Sequence, residues 1–355
     1  MADLYENPIG TDGFDFVEYA APDPRALHEL FKKLGFQAVA RHKREALTLY
    51  KQGDINFIIN EEPGSYAEKF AAVHGPCACA MGFRVKDASH AFEEALRRGA
   101  KAVDVKYGEG ETQIPVIEGI GGSRLYLVDQ YGPDVPFCAD FVAIEGVGEI
   151  DDAGLTYLDH LTHNVLRGNM DTWASFYEDV FNFREIRYFD IEGKLTGLVS
   201  KAMTSPCGKI RIPLNESQDD ISQIAEFLDE YKGEGIQHIA LGTKDICQSV
   251  DLLRGLEVEF QDTPDTYFDL LDERVKGHGE NTEELAKRRI LLDGAPTEGQ
   301  GILLQIFTKN VIGPIFFEII QRKGNEGFGE GNFQALFDSI ELDQIRRGVI
   351  QDDSA

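Results

Sequence analysis

The chain has 355 residues, a formal net charge of −27, and 42% hydrophobic against 27% charged residues, a globular balance sized for two to three modules rather than one ordinary core. A surface this acidic repels phosphate backbones, which sets nucleic acid aside as a partner. No apolar run approaches the ~20 residues that span a bilayer, and Met1 to Gly10 has no basic stretch leading into an apolar one, so the expectation is neither membrane nor secreted but cytoplasmic.

Along the chain, the first periodic segment is PDPRALHELFKKLGF, a helix closing at Phe36, and INFIINEE near Asn60 follows as a strand. Around Asp87 the chain reads VKDASHAFEEALRRGAKAV. That is a short strand, an Asp at a helix N-cap, a helical period, a Gly at the C-cap and a return strand. Cys77 and Cys79 form C-x-C rather than the C-x-x-C of a redox or zinc site. With Cys138, Cys207 and Cys247 they make five, read as buried free thiols of a reducing compartment.

Each early segment has an echo. NMDTWASFYEDVFNF ends at Phe183, IRIPLNES lies near Asn215, and TKDICQSVDLLRGLEVEF surrounds Asp245. Phe36 to Phe183, Asn60 to Asn215 and Asp87 to Asp245 are offsets of 147, 155 and 158 residues, in the same order in both halves. This predicts a duplicated unit, with domains at 1–150 and 151–355. In the second half, strands are predicted over 157–165, 184–191, 195–202, 209–215, 238–242, 302–307 and 315–321. Helices fall over 171–181 and 221–231 and after Asp245. The fold class is therefore α+β: duplicated βαβββ modules forming two open-barrel domains, each curled into a cup around a cavity.

Two stretches break the symmetry. Residues 265–300 read as a polar insertion, a helix or two under a loop. After the last strand comes GFGEGNFQALFDSIELDQIRRG, where Asn332 is expected to cap a helix carrying the apolar stripe Phe333, Leu336, Phe337 and Ile340. That stripe must bury itself on the domain, and Gly324, Gly327, Gly329 and Gly331 give it a hinge-like approach. A lid over the cavity is the expectation.

The chemistry-bearing residues lie in the second half. His160 (YLDHLTHNV) and His238 (GIQHIALG) are on predicted strands, and Glu318 sits in the apolar strand PIFFEIIQR. A carboxylate among Phe316, Phe317, Ile319 and Ile320 needs a cation, because burying it alone is costly. Two imidazoles and a carboxylate from separate strands are the facial triad that holds Fe(II) and leaves positions open for substrate and dioxygen. The repeat sets Phe16 opposite His160, Ala80 opposite His238 and Tyr126 opposite Glu318, so the first half should hold no metal. The facing of His163 depends on whether a bulge interrupts its strand.

The runs LDHLTHNV, IPLNE, GIQHIALGTKDI, GILLQIFTK, FFEIIQRKG and GFGEGNFQALFDSIE resemble the 4-hydroxyphenylpyruvate dioxygenase family of the vicinal oxygen chelate superfamily, along essentially the whole chain. The resemblance implies iron ligands at His160, His238 and Glu318. It also implies a polar substrate network of Ser200, Asn215, Gln223, Gln237 and Gln305. Pro213, Phe307, Phe316, Phe328 and Phe333 then stand at the pocket wall, with Asn332 on the closing helix. It implies the substrates 4-hydroxyphenylpyruvate and O2, the products homogentisate and CO2 in tyrosine catabolism, and a homo-oligomer, dimer or tetramer. Three rivals share the fold. A 4-hydroxymandelate synthase tends to differ at positions equivalent to Pro213 and Phe333. A drug-sequestering binding module lacks the full triad. An extradiol ring-cleaving enzyme adds a catalytic His or Tyr beside the metal.

Overall fold

The computed structural model describes residues 2–132, 137–146, 152–192, 197–220, 222–332 and 334–336. The boundary expected near residue 150 falls outside them, as do Phe333, Phe337 and Ile340.

The first half runs β1 (Thr11–Ala20), α1 (Arg25–Lys33), β2 (Gln37–His42), β3 (Leu47–Gln52), β4 (Ile55–Asn60), α2 (Tyr66–His74), β5 (Cys77–Val85), α3 (Ala88–Arg97), β6 (Val116–Glu118), β7 (Arg124–Val128) and β8 (Phe141–Ala143). The second runs β9 (Leu155–Val165), α4 (Met170–Phe181), β10 (Arg184–Glu192), β11 (Gly197–Thr204), β12 (Arg211–Ser217), α5 (Gln223–Tyr231), β13 (Gly235–Thr243) and α6 (Ile246–Gly255). It continues through α7 (Asp265–Asp269), α8 (Leu271–Arg274), α9 (Thr282–Arg288), β14 (Leu291–Gly294), β15 (Ile302–Phe307) and β16 (Phe316–Lys323). Each half builds one curled eight-stranded sheet, ordered β6-β7-β5-β1-β4-β3-β2-β8 and β10-β11-β12-β9-β13-β16-β15-β14. Within each, two modules meet across one antiparallel pair, β1·β5 or β9·β13.

The matched helices start as their sequences indicate. Asp87 and Asp245 are N-caps whose carboxylates accept from the His90 and Gln248 backbone N–H groups, satisfying donors that the first turn leaves free. Their C-termini differ from expectation. Gly99 follows α3 at φ 102°, but Gly255 is the last residue of α6 and the left-handed position falls on Glu257 at φ 64°. The 265–300 stretch also differs: it holds three short helices and then β14, which completes the fourth module by pairing with β15. Only four residues long within a polar stretch, β14 offers too little alternation to be read.

Register settles the internal alignment. Gly82 pairs with Phe16 on one side and Tyr126 on the other, as Ala240 pairs with His160 and Glu318. In the first half the positions matching His160 and Glu318 are thus taken by an aromatic pair, Phe16 and Tyr126, with ring centres 5.4 Å apart. Gly82 is required there, because a Cβ would meet the Phe16 ring at 2.6 Å. Phe16, Leu49, Ile58 and Val128 pack with Tyr126, Phe137 and Phe141 as a small apolar cluster of their own. The main core is continuous across both halves, with Phe57 of β4 and Phe317 of β16 5.8 Å apart at the seam. Cys77, Cys79 and Cys207 are buried free thiols as expected, whereas Cys138 and Cys247 are half-buried.

Candidate metal centre

His160, His238 and Glu318 stand on the three adjacent central strands β9, β13 and β16. Their ligand atoms lie within 4.8 Å of one another, and among the described residues they are the one group of this kind. Ala240, between His160 and Glu318 in the ladder, points only a methyl group at the space they share. The three reach across it: His160 Nε2 is 3.1 Å and His238 Nε2 3.5 Å from Glu318 Oε2.

Two bulges aim the histidines. The β9·β13 register slips between Ile236 and His238 and again between Ala240 and Leu241, leaving Gln237 and Asp159 as the extra residues. A bulge turns two neighbouring side chains toward one face where strict alternation would oppose them. Gln237 Oε1 therefore lies 2.5 Å from His238 Nδ1, and Asp159 Oδ1 lies 2.8 Å from His160 Nδ1. Both acceptors take a hydrogen bond from the Nδ1 proton, so Nε2 is the atom that each ring turns toward Glu318. At His238 the Thr162 hydroxyl donates to that atom over 2.9 Å.

The two rings differ in their preference for charge. Burial would raise Asp159, yet the Arg322 charge and its hydrogen bonds hold that carboxyl well below its ordinary range. Burial opposes a charge on His160, but Glu318 and Asp159 outweigh it and lift its pKa. At His238 burial prevails over Glu318, and the pKa falls. Glu318 is buried, and its Oε1 has no hydrogen-bond partner within the protein. Two imidazole Nε2 atoms converging on a buried carboxylate with an unsatisfied oxygen fit a divalent cation of the iron type, which would take the place of the proton that Glu318 favours on His160.

A cavity of about 50 Å³ lies over these groups, lined by His160, Thr162, Leu198, Ser200, Pro213, Asn215, His238, Gln305, Phe307, Glu318, Phe328 and Glu330. A larger hollow of about 300 Å³ in the first half, beside Phe16 and Phe137, has no such ligand set. Of the residues singled out from the sequence, Ser200, Asn215, Gln305, Pro213, Phe307 and Phe328 line the site. Phe316 stacks on the His238 ring at 4.9 Å behind it. Asn332 is not the helix cap, since its helix starts at residue 330. It lies buried in the first turn, donating to Gln305 Oε1 over 3.0 Å and accepting from the Tyr267 hydroxyl over 2.6 Å. Gly329, at φ 77°, lies so close to Gln305 that a Cβ would sit 1.6 Å from its Oε1.

Gln237 and Gln223 depart from expectation. Gln237 is held against His238 instead of lining the cavity. Gln223 is exposed on the first turn of α5, because Ser222 takes the cap and Ile224 and Phe227 take the buried face. Sequence reasoning missed Thr162, Leu198 and Glu330 in the lining, and Asp159 and Arg322 behind it. The only available signal was the buried-strand charge of Asp159 and Arg322 beside the predicted ligands.

His163 faces away from the centre, with Nε2 2.7 Å from the Tyr177 hydroxyl on α4. Burial pulls its pKa down to about 3 from 6.5. The folded chain keeps this ring neutral while the unfolded chain protonates it, so its presence costs stability increasingly as pH falls from about 6.5 toward 3. His163→Gln is expected to flatten the acid side of the stability profile by up to ~1.4 kcal/mol per pH unit between pH 6 and 4. Parallel urea-unfolding profiles for variant and wild type across that range would contradict it. Gln237→Leu removes the acceptor that fixes the His238 tautomer and is expected to weaken metal binding about 10- to 100-fold. Anaerobic metal titration decides the point, and unchanged affinity would leave the amide without a role at the centre.

Residues 5–142 match the family described as hydroxyphenylpyruvate dioxygenase, HPPD, N-terminal, and residues 157–284 match the glyoxalase/bleomycin resistance protein/dioxygenase superfamily. Paired curled sheets, one with a two-histidine, one-carboxylate centre, place the chain in that superfamily. The 4-hydroxyphenylpyruvate dioxygenase of Pseudomonas aeruginosa is 61% identical over 97% of this chain and 97% of its own length. That of Legionella pneumophila is 55% identical over 98% of each, and a protein named Hemolysin VllY from Vibrio vulnificus is 61% identical over 97% and 98%. A variant 4-hydroxymandelate synthase from Streptomyces coelicolor has TM-score 0.79 at 26% identity, covering 94% of this chain and 99% of that one. The chain belongs to the 4-hydroxyphenylpyruvate dioxygenase family.

Proposed function

We propose that His160, His238 and Glu318 hold one Fe(II) per chain, with none in the first half, and that this centre converts 4-hydroxyphenylpyruvate and O2 to homogentisate and CO2. The observation that carries the reading is the buried Glu318 carboxylate facing two imidazoles whose Nδ1 positions are both occupied. Bound Fe(II) supplies a centre that a keto acid can chelate through its carboxylate and keto oxygens, and at which dioxygen is activated.

The chain's own groups then orient and shield the substrate. Ser200, Asn215 and Gln305 offer neutral hydrogen-bonding groups that can fix a phenol without adding charge. Pro213, Leu198, Phe307 and Phe328 give the dry wall that a reactive intermediate needs. A cavity of about 50 Å³ is too small for an aromatic keto acid, so Phe328 and the segment leading to residue 332 must move aside on entry. The helix that begins at residue 330 is the lid in this reading. Identities of 53–61% to relatives named 4-hydroxyphenylpyruvate dioxygenase favour homogentisate over the hydroxymandelate of the more distant structural relative. The family's usual homo-oligomer, dimer or tetramer, and a cytoplasmic location complete the proposal. No helix of the described residues is long and apolar enough to cross a membrane.

The test is product analysis after anaerobic Fe(II) loading, followed by air and 4-hydroxyphenylpyruvate. Homogentisate with equimolar CO2 is expected. Hydroxymandelate as the main product would move the chain to the other activity.

A further inference from the structure

Asp159 does more than face His160. Its fully buried carboxylate takes a fork from Arg322, with Nε to Oδ2 and Nη2 to Oδ1 both 2.7 Å. Arg211 Nη1 stands 3.9 Å from Oδ2, and the Tyr157 hydroxyl donates to the same oxygen over 3.3 Å. Both arginines also reach outward to one turn of chain. Arg322 Nη1 donates to the carbonyls of Asn325, over 3.1 Å, and Gly327, over 2.6 Å. Arg211 is paired with the Glu326 carboxylate. The next residue, Phe328, returns to the centre: its ring meets the His160 ring edge-on at 5.3 Å, and the Arg322 guanidinium lies 5.6 Å from its ring centre. His160, Asp159, the two arginines, the 325–327 turn and Phe328 thus form a closed circuit.

The first half supplies an internal comparison. A bulge puts Asp15 before Phe16 as Asp159 stands before His160. Asp15 is paired at 2.9 Å with Arg84 of β5, and its Oδ2 is left without a partner. By the same register the place of Arg322 is taken by Gln130. The bulged aspartate therefore belongs to the fold, while the arginine fork from the last strand occurs only in the half that has an imidazole to orient.

We infer that Asp159, Arg322 and Arg211 are positioning residues that couple the orientation of His160 to the seating of the 325–328 turn, so that metal binding and closure of the cavity favour one another. Such coupling is reciprocal: whatever seats the turn tightens the metal, and the metal seats the turn. An arginine fork suits the role because its planar geometry fixes both the carboxylate and the two carbonyls, which a lysine cannot do. The inference rests on the reading of His160 as a metal ligand.

The experiment is anaerobic Fe(II) titration of the metal-free full chain, combined with hydrogen exchange of peptides covering 325–332, for wild type, Arg322→Gln and Arg322→Lys. Fe(II) is expected to slow exchange at 325–328 in wild type at least about 5-fold. Arg322→Gln should bind Fe(II) about 10- to 100-fold more weakly and lose that Fe(II)-dependent protection, with Arg322→Lys in between. Wild type that binds Fe(II) with no change in exchange there, or Arg322→Gln that binds as tightly as wild type, overturns the coupling while leaving the metal assignment intact. Should Arg322→Gln not fold, the wild-type exchange comparison and Arg322→Lys decide it. Wild type that takes up no Fe(II) overturns the metal reading, and the coupling with it.

Discussion

Glu318→Ala is expected to abolish iron uptake and lower turnover by at least about 10³-fold, equivalent to roughly 4 kcal/mol of lost transition-state stabilisation, while the fold survives. Both effects follow from the surroundings of this carboxylate. It is buried, one oxygen has no partner, and the other faces only His160 and His238. Removing it also takes away the charge that favours a proton on His160, and the two imidazoles keep their own partners, Asp159 for one and Gln237 and Thr162 for the other. A buried charge is deleted rather than orphaned, so the metal-free variant should unfold no earlier than the metal-free wild type. Metal analysis and thermal unfolding measured together check this. A variant that keeps a full complement of iron would show that the ligand set is wrong.

Phe317→Ala should do the opposite. The two residues are neighbours on β16, but strand alternation sends Glu318 into the cup and Phe317 into the seam between the halves. Phe317 is completely buried and packs against Phe57 of the first half. Emptying that position is expected to cost about 3–5 kcal/mol, a large part of the roughly 5–15 kcal/mol that a domain possesses. Protein that remains folded should still bind iron, because no ligand or ligand partner has been touched. Urea unfolding reads the loss directly, and a change under about 1 kcal/mol would mean that the seam contributes little to either half.

How much of this the sequence disclosed follows from the range of each signal. The duplication was legible because caps and strands recur at similar offsets, and Phe16, Ala80 and Tyr126 are aligned with the ligands as the registers require. The three candidate ligands, which the structure brings together, were legible because a charge or imidazole on an apolar strand is costly unless it is used. What alternation cannot reveal is a bulge, which is a property of two paired strands and not of one. For that reason alternation alone sets Asp159 opposite His160 and Gln237 opposite His238, where the structure brings each pair together, and it leaves the facing of His163 open. Gln223 is implied by the resemblance alone, and the structure turns it outward because Ser222 takes the cap of α5 and Ile224 and Phe227 take its buried face. Ser200, Asn215 and Gln305, which the family resemblance implies for the pocket, line the cavity, but the resemblance could not show that Gln237 lies against His238.

The most direct test of the whole account is the position and number of iron atoms in the folded chain. Crystals of protein loaded anaerobically with Fe(II), measured on both sides of the iron absorption edge, should give one anomalous peak per chain, bounded by the Nε2 atoms of His160 and His238 and the Glu318 carboxylate. The space between Phe16, Ala80 and Tyr126 should give none. A peak in the first half, or iron bound only elsewhere in the second, would contradict the account.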